Sequence, residues 1–82
     1  MVRISFDDKF KVTFSKIKNK LTKERIIKQI KKIKDNPEIG KPMRNIRKGT
    51  RELYVGSFRL SYFYFKDKNE IVLFDFYHKD RQ

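Results

Sequence analysis

Val2, Ile4 and Phe6 alternate with Arg3 and Ser5 at the start of the chain, a period of two that predicts a short strand with one buried face. The period then lengthens. Phe10, Phe14, Ile17 and Leu21 recur at helical spacing with Lys11, Lys16, Lys18 and Lys20 on the other sides, and Asp7 or Asp8 stands where an N-cap belongs. Thr22 reads as a second N-cap, ahead of an apolar stripe of Ile26, Ile27, Ile30 and Ile33 set against Lys28, Lys31, Lys32 and Lys34. The stretch DNPEIGKP closes this helix: Pro37 disfavours helical geometry at Asn36, and Gly40 and Pro42 extend the break. Two helices with almost no loop between them must run antiparallel, as a helical hairpin.

A basic loop, KPMRNIRKGTR, leads into a second region of short period. Residues 53–55 and 58–65 flank Gly56 and Ser57, a tight turn, and KDKNE forms another. The following IVLFDFYH is a third strand of this set, and its continuous apolar run indicates neighbours on both edges. The predicted fold is α+β with the order β-α-α-β-β-β, an antiparallel helical hairpin packed on one face of a mostly antiparallel sheet. Within 58–65, Phe58, Leu60, Tyr62 and Tyr64 share one phase, and Arg59, Ser61, Phe63 and Phe65 the other. Burying an unpaired guanidinium costs several kcal/mol, so the first set is assigned to the core. Arg59 and Ser61 are thereby expected on the open face.

With 82 residues the chain is one domain, and near-equal hydrophobic (38%) and charged (39%) content leaves it a small core. That core leans on 8 Phe and 4 Tyr, each burying ~150–250 Å². This suffices for a sheet covered on one side, without a second layer and a deep pocket. The formal charge of +12 changes the picture more, because self-repulsion at that density is tolerated where a polyanion or an acidic protein is at hand. A lysine-rich bias of thermophile type is the bland alternative, set back by the scarcity of Glu. The absence of Cys removes thiolate zinc sites and thiol nucleophiles, and a single His argues against a protein-only metal site. No apolar run approaches the ~20 residues that span a bilayer, and no signal peptide is apparent; a soluble, cytoplasmic protein with no cofactor is expected.

The segments NPEIGKPM, RELYVGSFRLSY and EIVLFDFYHKDRQ, taken with the basic loop and the predicted element order, resemble the RelE/ParE toxin superfamily over essentially the whole chain. The resemblance implies a toxin of a type II toxin–antitoxin pair. Members with this pattern either cut mRNA on the ribosome or inhibit DNA gyrase. The implied partners are a cognate antitoxin, the ribosome with its mRNA, and rRNA, with no membrane and no metal.

In the mRNA-cleaving members the ribose 2′-hydroxyl attacks its own 3′-phosphate, leaving a 2′,3′-cyclic phosphate and a 5′-hydroxyl. Such a reaction needs a group for the phosphorane charge, a base for the 2′-OH and an acid for the 5′-oxygen. By the resemblance Arg59 takes the phosphate, a task suited to a permanently charged fork of donors; the bland alternative is an ion pair with Asp75. His78 matches a C-terminal histidine that serves as general acid, although strand phase groups it with Val72, Phe74 and Phe76. Glu52, at the rim of the hairpin, is the candidate base against an ordinary edge-strand charge. Arg44, Arg47, Lys48, Arg51, Lys79 and Arg81 are the candidate phosphate and rRNA contacts. Some ribonucleolytic members carry a tyrosine beyond the C-terminal basic cluster; no counterpart stands between Lys79 and Gln82, and Tyr77 is the candidate to replace it by stacking on a base. Two other readings compete: a gyrase-binding toxin, and an RNA-binding module whose Phe63, Phe65 and Tyr77 stack bases.

Overall fold

The computed structural model of the chain describes residues 2–43 and 49–81, Arg81 by its backbone alone. Strand β1 (Arg3–Phe6) is followed by helices α1 (Asp8–Ser15) and α2 (Lys20–Asp35), then strands β2 (Lys41–Pro42), β3 (Thr50–Val55), β4 (Phe58–Phe65) and β5 (Glu70–His78). The five strands form one sheet in the order β1-β5-β4-β3-β2. All neighbours are antiparallel except β1 and β5, which run parallel. The expected α+β architecture is present, with β2 as an addition. Two residues of the basic loop pair with Arg51 and Glu52, so β3 starts earlier than the hydrophobic pattern suggests and is covered on that edge. Among the described residues, no helix is long and apolar enough to cross a membrane.

The core lies between the helices and one face of the sheet. Phe10 of α1 and Ile26 and Ile33 of α2 meet Leu60, Tyr62, Ile71, Leu73 and Phe76. Asp7 caps α1 by accepting from the Lys9 N–H, whereas the cap of α2 is Asn19 and not Thr22. The Asn19 Oδ1 accepts from the Thr22 N–H at 3.1 Å, placing Thr22 inside the first turn. The first helix therefore stops after eight residues, and the stripe drawn from Phe10 to Leu21 breaks at the reversal. Ile17 still packs on the core, but Leu21 and Ile27 are exposed.

Between Val55 and Phe58, Gly56 turns the chain at φ +61, which suits glycine at the first central position of a two-residue hairpin loop. The β4–β5 ladder contains a bulge. Ser61 pairs with Asp75 but Tyr62 pairs with Leu73, leaving Phe74 as the extra residue. Strict alternation from Ile71 and Leu73 would carry Asp75 and Tyr77 into the core. The extra residue reverses the phase, so Phe76 joins the core opposite Leu60, and Asp75 and Tyr77 emerge on the open face.

A polar clasp fixes the exit of α2 to the sheet. The Tyr62 hydroxyl donates to the Pro37 carbonyl at 2.7 Å and accepts from the Gly40 N–H at 2.9 Å. Beside it, Arg51 Nη1 donates to the carbonyls of Glu38 and Gly40. Burial pushes the Tyr62 phenol above its ordinary ionisation range, while the Gly40 N–H and the Arg51 charge pull it back. An unfolded tyrosine ionises near pH ~10. The stabilisation from the neutral phenol is therefore complete below that pH and drains away as pH climbs towards the higher folded value. Urea titrations between pH 9 and pH 11, conditions chosen around that ~10 value, are expected to show a steeper alkaline loss for wild type than for Tyr62→Phe. Equal slopes would contradict this account.

Candidate functional site

Cross-strand register arranges six side chains of the open face as two rows. Glu52, Ser61 and Asp75 lie side by side on β3, β4 and β5; one step nearer the hairpin turn come Tyr54, Arg59 and Tyr77. Arg59 thus lies in the middle strand with a tyrosine on either flank. Its guanidinium carbon stands 3.8 Å from the centre of the Tyr54 ring, and Nη1 donates to the Phe58 carbonyl at 3.2 Å. The Nε–Nη2 edge has no hydrogen bond among the described residues, and the side chain is half-buried. A charged, planar donor pair held in this way can receive two oxygens of a phosphate.

The other tyrosine is committed elsewhere. The Tyr77 hydroxyl donates to Glu52 Oε2, in the lower row and two strands away. To reach it the phenol crosses β4 beside Ser61. This explains why Ser61, expected to be open to solvent on this face, is fully buried, its Oγ without a hydrogen-bond partner among the described residues. Glu52 is likewise not a rim or edge-strand charge: β2 covers its edge, and it is 3% exposed beneath Tyr77. Tyr77 is itself buried, so stacking on a base is not open to it in this arrangement. Asp75 does not pair with Arg59. Its Oδ2 lies 3.3 Å from Lys9 Nζ, and its Oδ1 accepts the Phe76 N–H.

His78 lies on the other side of the sheet. It pairs with Phe58 in register and meets that ring edge-on at 5.3 Å, on the face shared with Leu60 and Phe76. Without the bulge it would share the face of Arg59. It borders instead a cleft of about 450 Å³ with Thr13, Ile17 and Asp80. Its Nδ1 is 3.3 Å from both the backbone N–H and the carboxylate of Asp80, so the ring is oriented whether Nδ1 accepts or donates. Arg51, a candidate phosphate contact, points to the helix side and spends its fork on the clasp and on Glu38, 3.7 Å away. Lys79 is exposed beyond the strand end. Arg44, Arg47, Lys48 and the side chain of Arg81 lie outside the described residues.

Sequence reasoning passed over Tyr54. Its signal was available: residues two before a two-residue turn and two after it face each other, which sets Tyr54 against Arg59. Phe63 stacks on Phe65 at 5.9 Å and meets Phe74 edge-on at 5.3 Å, so these rings form an aromatic strip of their own beyond the bulge.

The family model described as the ParE toxin of the type II toxin–antitoxin system, parDE, matches residues 4–82. Comparison with curated proteins returns no match. Among solved structures the fold is similar to the intact RelBE toxin–antitoxin complex of E. coli, with a TM-score of 0.80, 15% identity, and 95% of this chain and 96% of that chain covered. It is similar to the archaeal RelE–RelB complex of Pyrococcus horikoshii, with a TM-score of 0.77 at 13% identity over 99% and 98% of the two chains. The RelBE2 toxin–antitoxin complex of Mycobacterium tuberculosis aligns with a TM-score of 0.73 at 20% identity over 94% and 96%.

Proposed function

The chain belongs to the ParE toxin family of type II toxin–antitoxin systems, and on that premise we propose that it is a metal-independent endoribonuclease acting on ribosome-bound mRNA. The observation that carries this reading is the Nε–Nη2 edge of Arg59, free among the described residues and held on an accessible face by Tyr54 and the Phe58 carbonyl. In the proposed step the 2′-oxygen gives up its proton to solvent water and bonds to the adjacent phosphorus. The bond from phosphorus to the 5′-oxygen breaks, and that oxygen takes a proton from solvent water. Arg59 stabilises the charge that builds on the non-bridging oxygens; His78, the expected donor to the leaving oxygen, lies on the opposite face of the sheet and is assigned no proton transfer. Glu52 anchors Tyr77 and is assigned no proton transfer.

A cognate antitoxin is the proposed protein partner. An acidic, apolar segment suits the surface: the formal charge is +12, and an apolar groove lined by Phe6, Phe10, Phe14, Ile27 and Ile30 runs between the helices with Lys11 at its margin. mRNA and rRNA on the ribosome are the proposed nucleic-acid partners.

A second reading, a gyrase-inhibiting toxin without nuclease activity, is favoured by one observation. Arg59 and His78 occupy opposite faces and Glu52 is turned inward, so acid and base are not assembled around the phosphate site. Brief induction without the antitoxin separates the two. The nuclease reading expects new 5′-hydroxyl ends within translated messages, fewer of them in Arg59→Ala, and plasmid supercoiling unchanged. Intact messages with altered supercoiling would replace it with the second reading.

A further inference from the structure

We infer that Tyr54 is a positioning residue, the side chain that holds Arg59 in its phosphate-receiving pose. This rests on the reading of Arg59 as a phosphate ligand. Tyr54 is 58% exposed, too open to be explained by packing, and it belongs to neither the core cluster nor the polar row beneath Tyr77. The guanidinium lies 3.8 Å from its ring centre, a distance at which a planar cation rests on the aromatic face. The Phe58 carbonyl takes Nη1, so ring and carbonyl together fix both the tilt of the fork and its rotation in plane.

Two consequences follow for a ligand. The covered face excludes water, which strengthens whatever the fork binds. It also leaves an approach in the guanidinium plane, along the Nε–Nη2 edge, and this favours an anion with two oxygens over a stacking base. The neighbour on the other flank cannot take over this role, because the Tyr77 hydroxyl is tied to Glu52. A free arginine must freeze several rotatable bonds on binding, whereas one already resting on a ring has less to lose.

The test compares Tyr54→Leu and Tyr54→Phe in the whole protein with a short ribosome-bound RNA message blocked against cleavage by a 2′-deoxy sugar. In wild type and Tyr54→Phe the Arg59 Hδ and Nε–H resonances should be shifted upfield by the ring; in Tyr54→Leu that shift should vanish while the melting temperature holds. Affinity for the blocked RNA should fall about tenfold in Tyr54→Leu, within the range of a partly desolvated cation–ring contact, with an unchanged salt slope because no charge is removed. In an Arg59→Ala background the same change should cost nothing further. An Arg59 signal that does not respond to Tyr54→Leu, or an equal affinity loss in Tyr54→Phe, overturns the inference. Wild type that shows the ring shift, loses it in Tyr54→Leu, and does not bind the blocked message on the ribosome upholds the positioning and rejects the nuclease reading instead.

Discussion

Arg59→Ala is expected to lower mRNA cleavage by roughly 10²–10³-fold, the usual loss when a single preorganised donor to a developing oxyanion is removed. The folded protein should be nearly unaffected. Arg59 is half-buried, and its contacts are one backbone carbonyl and one exposed ring, so the stability change should stay within ~1 kcal/mol. Arg59→Lys is the sharper comparison. It preserves the charge but not the paired donors or the flat contact with Tyr54, so it should recover only a small part of the activity. Primer extension on messages from induced cells, beside thermal melting of each variant, measures both quantities. Full toxicity in Arg59→Ala, with message intact in wild type as well, would point to a target other than RNA.

Gly40→Ala is expected to cost roughly 2–5 kcal/mol, combining the strain of an overfilled site with loss of a buried hydrogen bond. A Cβ at this position would stand 2.6 Å from the Tyr62 hydroxyl oxygen, 2.8 Å from its Cε1 and 3.0 Å from the Arg51 Cβ. Something must move, and Tyr62 is fully buried. At ordinary per-residue values, 82 residues carry only about 4–12 kcal/mol of net stability. The melting temperature should therefore drop by ~10–30 °C. Removing the hydroxyl relieves the shortest of these contacts, so the penalty should be smaller in a Tyr62→Phe background. Additive losses in that double-mutant comparison would mean the clash is not the cause.

The helical hairpin, the order of the elements and the core phase of β4 could be read from spacing, because each rests on a periodic burial requirement that local sequence must satisfy. The grouping around Arg59 could not. It depends on which residues of β5 share its face, and one inserted residue at Phe74 exchanges Phe76 and His78 for Asp75 and Tyr77. A hint was present: Asp75 falls in the phase of Ile71 and Leu73, where a carboxylate would have entered the apolar core. A bulge just ahead of it resolves that conflict. The assignment of Thr22 as a cap failed for a related reason. Asn19 and Thr22 are both good cap residues, and which one starts α2 is set by where α1 has to stop for the chain to reverse.

The pairing of β1 with β5 bears on when the face that carries Arg59 can assemble. Arg3–Phe6 finds its partner in Glu70–Leu73, and β5, which lies between β1 and β4, is the last of the five strands to be synthesised. Until it emerges, β1 has no partner and β4 lacks one edge. Such non-local pairing makes folding slow and late relative to synthesis. A growing chain therefore displays its aromatic surfaces well before it can display an assembled Tyr54–Arg59–Tyr77 row, and the interval between the two is a period in which another polypeptide can reach it first.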